Sequence, residues 1–316
     1  MKINTNASAV LVALITVLSA CEDHRDSPNA SLPERIEFVA NRLYPEGIAY
    51  SSQLGKFLVS SISMGTISTV SSDGQFEEIL AAPELVSGIG IKVAGNRVFV
   101  CNSDPGTAMK STPAGAFQTA ELLVFNLDTR KLERRTDLDA LLPAADRNFA
   151  NDVTLAPDGT AYVTDSFSPV IYKVTPDGTA SVLLRDNVNF SSPGFGLNGI
   201  VYHPNGYLIV ANVGQQKLYK VDLQRGNAVT EITGTGPLPG DGLCLLNNDL
   251  YVVTQGTRVA QVRSTDNWLT ASVVKFDEGV YTGATTNVAV NNQVYTLNAR
   301  ISETINARDF SIQRFR

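Results

Sequence analysis

Four residues with side-chain oxygens stand at matched places in a repeated sequence pattern. They are Glu46, Asn151, Asn198 and Asp241. Each precedes a short apolar run, and a tight turn follows that run. Two carboxylates and two amides around one point would make an all-oxygen cluster. Calcium accepts such mixtures of carboxylate and carbonyl oxygens with loose geometry. We therefore predict a divalent-cation site from these residues, with Ca2+ favoured and Mn2+ or Zn2+ as the other candidates.

A simpler interpretation treats these residues as ordinary turn formers. Asn, Asp and Gly are common before and between strands, so any one of them could merely cap a loop. The prediction of a cation site depends on their matched register and on Glu46, because Glu is a poor turn former.

The positioning elements are short strands in a repeated plan. Apolar runs rich in Val, Ile, Leu, Tyr and Thr alternate with turns, which is typical of an all-β chain. The turns between the first two strands of each repeat carry Gly or Asn: Leu54-Gly55, Gly95-Asn96, Asp158-Gly159, Asn205-Gly206, Asn247-Asn248 and Asn291-Asn292. The repeats begin at Glu46, Gly88, Asn151, Asn198, Asp241 and Thr286.

A period of this length predicts a β-propeller. Six repeats predict six four-stranded antiparallel blades around a central channel, over residues 34–316. The strand-like stretch 35–41 precedes the first repeat, and we expect it to supply the outer strand of the last blade. The first residue of each inner strand would lie at the channel mouth, so the repeat starts should converge there.

The N-terminus has the pattern of a secretory signal. Residues 1–20 have a basic start and an apolar run too short to span a bilayer. The sequence Leu18-Ser19-Ala20-Cys21 resembles a bacterial lipobox, which implies a lipid on Cys21; an ordinary signal cleavage site is the alternative. Residues 21–33 are polar and indicate a flexible tether. We expect a cell-envelope protein on the periplasmic or extracellular side, held to the membrane through its lipid alone and acting as a monomer.

Two segments lengthen the second repeat. The surplus lies in 103–120 and 136–150, and in a propeller both should emerge on the same face as the channel mouth. The first is a candidate lid, with a disordered loop as the alternative. A helical turn is expected only within 137–146.

Several function classes are disfavoured. The net charge is −6 and no basic stripe exists, which argues against a nucleic-acid partner. The only histidines are His24, in the tether, and His203, beside a turn away from the channel mouth, so a histidine base or triad is not expected. Cys101 and Cys244 lie in strand-like runs of different repeats; a disulfide is possible outside the cytoplasm, and two buried thiols are favoured.

The segments PEGIAY, NDVTLAPDG, LNGIVYHPNG and GDGLCLL resemble those of the regucalcin/gluconolactonase family of six-bladed propellers. The resemblance spans roughly residues 44–316. It implies that Glu46, Asn198 and Asp241 hold the cation and that Asn151 lies close to cation and substrate. The family usually has an Arg two residues before the Asn-Asp pair, where this chain has Phe149; the nearest arginine is Arg147. A sugar lactone is therefore not assumed.

The resemblance and the oxygen cluster together favour a hydrolase of lactones or related esters, with a small-molecule substrate. Asp241 and Asn151 are the expected catalytic residues, and for Asp241 the roles of general base and cation ligand compete. Six loop residues are candidates for substrate contact: Arg147, Asn102, Asp165, Asn212, Gln255 and Arg300. The alternative is a non-catalytic propeller that binds a small molecule or protein, with a structural cation in the channel.

Overall fold

Short strands joined by tight turns make up almost the whole chain in the computed structural model, which describes residues 32–301, 303 and 307–316. The predicted hairpin turns adopt positive φ where Gly or Asn was expected. Gly55 has a φ of 62°, Gly159 of 85° and Asn247 of 56°. These residues tolerate the left-handed region, so the turns reverse the chain without strain.

The strands form six sheets of four strands each. The first blade contains β2 to β5: Ile48–Ser51, Lys56–Ser60, Thr66–Val70 and Phe76–Ala81. The second contains β6 to β9: Gly88–Ala94, Arg97–Ser103, Ala120–Asn126 and Lys131–Asp137. The third contains β10 to β13: Ala150–Leu155, Ala161–Asp165, Val170–Val174 and Ala180–Arg185.

The fourth blade contains β14 to β17: Leu197–His203, Tyr207–Asn212, Lys217–Asp222 and Ala228–Ile232. The fifth contains β18 to β21: Gly240–Leu246, Asp249–Thr254, Arg258–Arg263 and Ser272–Glu278. The sixth joins β22 to β24, over Ala284–Val290, Gln293–Asn298 and Asp309–Arg314, to β1 at Arg35–Val39. All the pairings within the sheets are antiparallel, which confirms the predicted six-bladed propeller.

The N-terminal strand closes the ring. β1 pairs with β24 from Arg35 opposite Gln313 to Val39 opposite Asp309. The Phe38 ring of β1 packs 5.7 Å from that of Phe310. The prediction that 35–41 supplies the outer strand of the last blade is thus confirmed, although the strand ends at Val39.

The cores lie between blades. One buried cluster joins Leu58 and Ile67 of the first blade to Val100 of the second, and the other clusters likewise combine neighbouring blades. Such a sheet has two apolar faces, so only its neighbours in the ring can cover both. Cys101 and Cys244 are free and buried, which confirms the predicted pair of thiols.

The two insertions of the second repeat lie on the same face. The amide of Asn148 donates to the carbonyl of Phe117 at 2.9 Å, which joins segment 136–150 to segment 103–120. The Lys110 ammonium donates to the carbonyls of Ala82 and Leu85, each at 2.9 Å. Segment 103–120 is therefore held to the first blade by polar contacts. The expected helical turn is a single 3₁₀ turn at Asp139–Leu141.

The described residues contain no helix that is long and apolar enough to cross a membrane. The predicted signal segment 1–20, the lipidation site Cys21 and most of the tether lie outside the described residues. The predictions made for them stay predictions from the sequence.

Candidate functional site

The pairing register of the inner strands aligns the predicted cation ligands. Each inner strand after the first pairs with the second strand of its blade through a bulge: Gly88 opposite Asn102, Ala150 opposite Asp165, Leu197 opposite Asn212, Gly240 opposite Thr254, and Ala284 opposite Asn298. The residue after each of these occupies the equivalent channel position: Ile89, Asn151, Asn198, Asp241 and Thr285. In the first blade the pair Ile48 and Val59 corresponds to Ile91 and Val100, which makes Glu46 equivalent.

Four of the six predicted channel positions are therefore in register, and two are corrected by one residue. The second blade contributes Ile89 in place of Gly88, and the sixth contributes Thr285 in place of Thr286. Each bulge inserts an extra residue into the inner strand, which apolar periodicity alone does not reveal. Thr285 donates its hydroxyl to the carbonyl of Glu46 at 2.7 Å, so the first and sixth blades meet at this level of the channel.

Glycine lets the inner strands approach one another at this level. A Cβ atom on Gly199, directly after Asn198, would lie 2.3 Å from the carbonyl oxygen of Asp241 and 2.8 Å from the amide of Leu243. Gly47 stands equally close to the inner strand of the second blade. These contacts bring the backbones of ligand-bearing strands together, and their side chains converge on the channel.

Two oxygens of the cluster are buried without a hydrogen-bond partner. They are Oε2 of Glu46 and Oδ1 of Asn151, in residues that are 9% and 4% exposed. The Asn151 amide nitrogen donates to Oγ of Ser166 at 2.8 Å, which turns its oxygen away from that contact. A buried acceptor without a donor costs free energy. A cation that accepts these oxygens would remove that cost.

The carboxylates of the channel destabilise one another's charged forms. Burial, followed by the charges of Asp241 and Asp152, raises the pKa of Glu46 well above its usual value. Burial raises the pKa of Asp241 to about 7, although a hydrogen bond from the Asn198 side chain opposes the shift. Burial also raises the pKa of Asp152, against the nearby positive charge of Lys92. Burial and mutual repulsion thus disfavour the charged forms of these carboxyls in the cation-free protein, and a bound cation would favour them.

These pKa shifts predict how the cation-free protein responds to pH. Carboxyls whose pKa is higher in the folded state than the ordinary value of about 4 stabilise the fold while protonated. That contribution is full below about pH 4 and is lost as the pH rises through the folded-state pKa, about 7 for Asp241. We expect the Tm in EDTA to fall between about pH 5 and about pH 8, and calcium to oppose the fall.

The measurement is a series of melting curves across that pH range, with EDTA or with calcium. The double variant Glu46→Gln/Asp241→Asn is the control, because it lacks both titrating carboxyls and should show a flatter profile in EDTA. A profile as steep in the double variant as in the unmodified protein would assign the pH dependence to other groups.

The donor set fits a hard divalent cation. It consists of carboxylate and amide oxygens, which calcium prefers, and lacks the nitrogen and sulfur ligands typical of structural zinc sites. Asp152 is not part of this donor set, because its two carboxylate oxygens accept from the backbone amides of Val153, at 2.8 Å, and Ile200, at 3.2 Å. Within the described part of the chain, no group of three or more His, Cys, Asp or Glu side chains stands in metal-binding geometry. The candidate centre therefore depends on its two amides.

Three of the predicted substrate contacts are structural. Asp165 and Asn212 end the second strands of their blades and Asn102 is the last residue but one of its strand; each of the three residues is 0% exposed. Each binds the backbone of a loop; for example, one oxygen of Asp165 accepts from three amides, those of Phe149, Phe167 and Ser168. Their polar groups hold the loops that enter the inner strands and are therefore not free to contact a substrate.

The remaining predicted residues are dispersed. Arg147 is exposed in the loop before Asn151, and its guanidinium lies over the rings of Phe117 and Phe167. Arg300 binds Glu303 and donates to the carbonyl of Asp309 at 3.1 Å, in a crevice of the sixth blade.

Gln255 is exposed in the turn after β19. His203 ends β14, at the opposite end of that strand from Asn198, and stacks on Tyr207 with 4.3 Å between ring centroids. The structure therefore joins only the four predicted ligands, with Arg147 in an adjoining loop.

The sequence patterns did not single out Asp152, Ser166 or the aromatic residues around Arg147. Asp152 follows Asn151 directly, and a carboxylate at a position where other repeats have glycine was an available signal. Ser166 lies just after a strand and gives no comparable signal, because Ser is common in turns.

Comparison with known proteins supports the fold. No family model matches the chain, and no curated protein does. Among solved structures, the allergen Mala s 1 of Malassezia sympodialis is 18% identical with a TM-score of 0.71, over 90% of this chain and 96% of that one. The gluconolactonase XC5397 of Xanthomonas campestris is 15% identical with a TM-score of 0.61, over 89% of each chain. Virginiamycin B lyase of Staphylococcus aureus is 12% identical with a TM-score of 0.57, over 88% of this chain and 98% of that one. At these identities the likeness is one of fold.

Proposed function

We propose that this chain is a divalent-cation-dependent hydrolase of lactones or related esters, with calcium as the favoured cation. The observation that carries the proposal is the pair of partnerless buried oxygens on Glu46 and Asn151, in register with Asn198 and Asp241 at the channel mouth. The occurrence of a gluconolactonase among proteins of the same fold is consistent with it. Exposure on the cell envelope through Cys21 stays part of the proposal from sequence.

The residues would divide the chemistry among them. Glu46, Asn151 and Asn198 would hold the cation, with Asp241 as a further ligand or as the base. A bound divalent cation polarises an ester carbonyl and lowers the pKa of nearby water. Asn198 hydrogen-bonds to Asp241 and so fixes the orientation of its carboxylate.

Asp241 is suited to move the proton. Its carboxylate accepts a proton as water oxygen bonds to the carbonyl carbon, and the carbon–oxygen bond of the ester or lactone ring then breaks. The departing alkoxide takes that proton from Asp241, which restores the carboxylate. In the cation-free protein burial raises the pKa of Asp241 to about 7. A cation bound beside it would lower that pKa, so the carboxylate would be ionised and able to accept a proton at neutral pH.

The competing function is a propeller that binds a ligand around a structural cation. The deep burial of Asn151 and Asn198, at 4% and 9% exposure, would suit a closed structural site. Asp241 is half-buried rather than buried, which is consistent with access for a substrate.

The test is hydrolysis of a panel of lactones and aryl esters by protein stripped with EDTA and then refilled with calcium, manganese or zinc. We expect turnover that depends on the added cation. A cation that raises the Tm without any turnover would favour the binding propeller, and a cation that changes neither would exclude the site.

A further inference from the structure

Four phenylalanine rings meet beside the candidate cation centre. Phe167 lies 5.2 Å from Phe117, 5.9 Å from Phe149 and 4.8 Å from Phe195, measured between ring centroids. Phe149 is buried, whereas Phe195 is 46% exposed and the other two are half-buried. We call these four residues the phenylalanine cluster. It presents an apolar aromatic face to solvent.

The phenylalanine cluster is built on the segments that carry the candidate ligands. Phe149 stands two residues before Asn151, and Phe195 stands three residues before Asn198. Ser166, next to Phe167, accepts from the Asn151 side chain at 2.8 Å and donates to the carbonyl before Asn198 at 2.7 Å. A group bound on these rings would therefore lie close to a reacting group held at the channel mouth.

One positively charged side chain, that of Arg147, lies on these rings. The guanidinium carbon of Arg147 lies 4.1 Å from the ring centroid of Phe167 and 4.5 Å from that of Phe117. The adjacent Asp146 is engaged by Arg185 at 2.8 Å. Among the described residues, no acceptor is hydrogen-bonded to the N–H groups of Arg147. The aromatic contacts orient the guanidinium and leave its hydrogen-bonding edge free for an anion.

We propose that the phenylalanine cluster and Arg147 form the subsite for the non-reacting part of the substrate, and that this part is an aromatic ring bearing a carboxylate. The inference rests on the proposed hydrolase function. Stacking on the rings accounts for the aromatic part, and a planar guanidinium edge suits a carboxylate. A polyhydroxylated sugar would lose hydrogen bonds to water against this apolar face without replacing them.

Equilibrium binding measured without turnover tests the subsite. Calorimetry would use EDTA-treated full-length protein and three probes: 3-phenylpropionate with ring and carboxylate, 3-phenylpropan-1-ol with the ring alone, and butyrate with the carboxylate alone. EDTA removes any bound cation as a carboxylate receptor. We expect 3-phenylpropionate to bind tightest.

Two variants assign the contacts. Arg147→Met keeps an apolar stem on the rings and should weaken 3-phenylpropionate at least about tenfold, with little effect on the alcohol. Phe195→Ala should weaken both aromatic probes. Val188→Ala is the control, because this side chain is 82% exposed in the same connecting segment.

The outcomes separate the subsite from the hydrolase. Three results would each overturn the subsite, whatever the hydrolysis assays show. They are unchanged binding of 3-phenylpropionate in Arg147→Met and Phe195→Ala, binding of butyrate as tight as that of 3-phenylpropionate, and no binding of 3-phenylpropionate up to about 10 mM. Binding that both variants weaken, in a protein that turns over no ester, would support the subsite and count against the hydrolase.

Discussion

Replacing Asp241 with Asn should lower ester or lactone turnover at least about a hundredfold, even when calcium is saturating. Asn has nearly the same shape, so the channel should keep its packing, but the amide cannot accept the proton from water. The measurement is kcat together with the calcium concentration that gives half of the maximal Tm shift.

The same variant separates the two roles of Asp241. If it acts as the base, turnover stays low at every calcium concentration; if it acts only as a ligand, more calcium restores turnover. Glu46→Gln is the comparison, because Glu46 is expected to act as a ligand and excess calcium should partly restore its activity. Asp158→Asn is the matched control, since it makes the same change at an exposed hairpin turn. Full hydrolysis by Asp241→Asn at ordinary calcium would remove Asp241 from the proposed chemistry.

Gly199→Ala should destabilise the protein by about 3 kcal/mol or more. The added Cβ would stand 2.3 Å from the carbonyl oxygen of Asp241, so backbone and not a flexible side chain must move. The strands that carry Asn198 and Asp241 would separate, and calcium should stabilise the variant less than it stabilises the unmodified protein. Chemical denaturation with and without calcium measures both effects.

Gly226→Ala is the control for that substitution. A Cβ there meets no heavy atom within 4 Å, although its φ is 64°. It should cost about 1 kcal/mol, from backbone conformation alone. If the two variants lost the same free energy of unfolding, the close approach of the inner strands would not be what makes Gly199 necessary.

The sequence predicted the blades better than the details of the channel. Blade number and hairpin turns depend on local signals, because Gly and Asn at turns and alternating apolar runs act within a few residues. The exact channel positions did not follow from those signals: Ile89 and Thr285 are aligned by bulges, which appear only when two strands are paired. A strand pattern is compatible with either register until its partner is known.

The polar residues at strand ends show a second limit. Asn102 and Asp165 have residue types that suit a ligand-binding surface, yet both are buried and bind their own loops. Whether such a side chain faces solvent or backbone depends on the path of the loop. The phenylalanine cluster could not be predicted for the same reason. Phe117 and Phe195 lie on separate loops that only the folded chain brings together.

The closure of the ring by β1 has a consequence for the order of events during synthesis. The Arg35 side chain donates a hydrogen bond to that of Gln313, 278 residues further along the chain. β1, the first of the described strands, must therefore wait for β24, the last of them, before it can pair. Until then β1 and the forming blades expose unpaired strand edges, which favour association with other chains. Closing so long a loop also makes this pairing slow relative to the local hairpins.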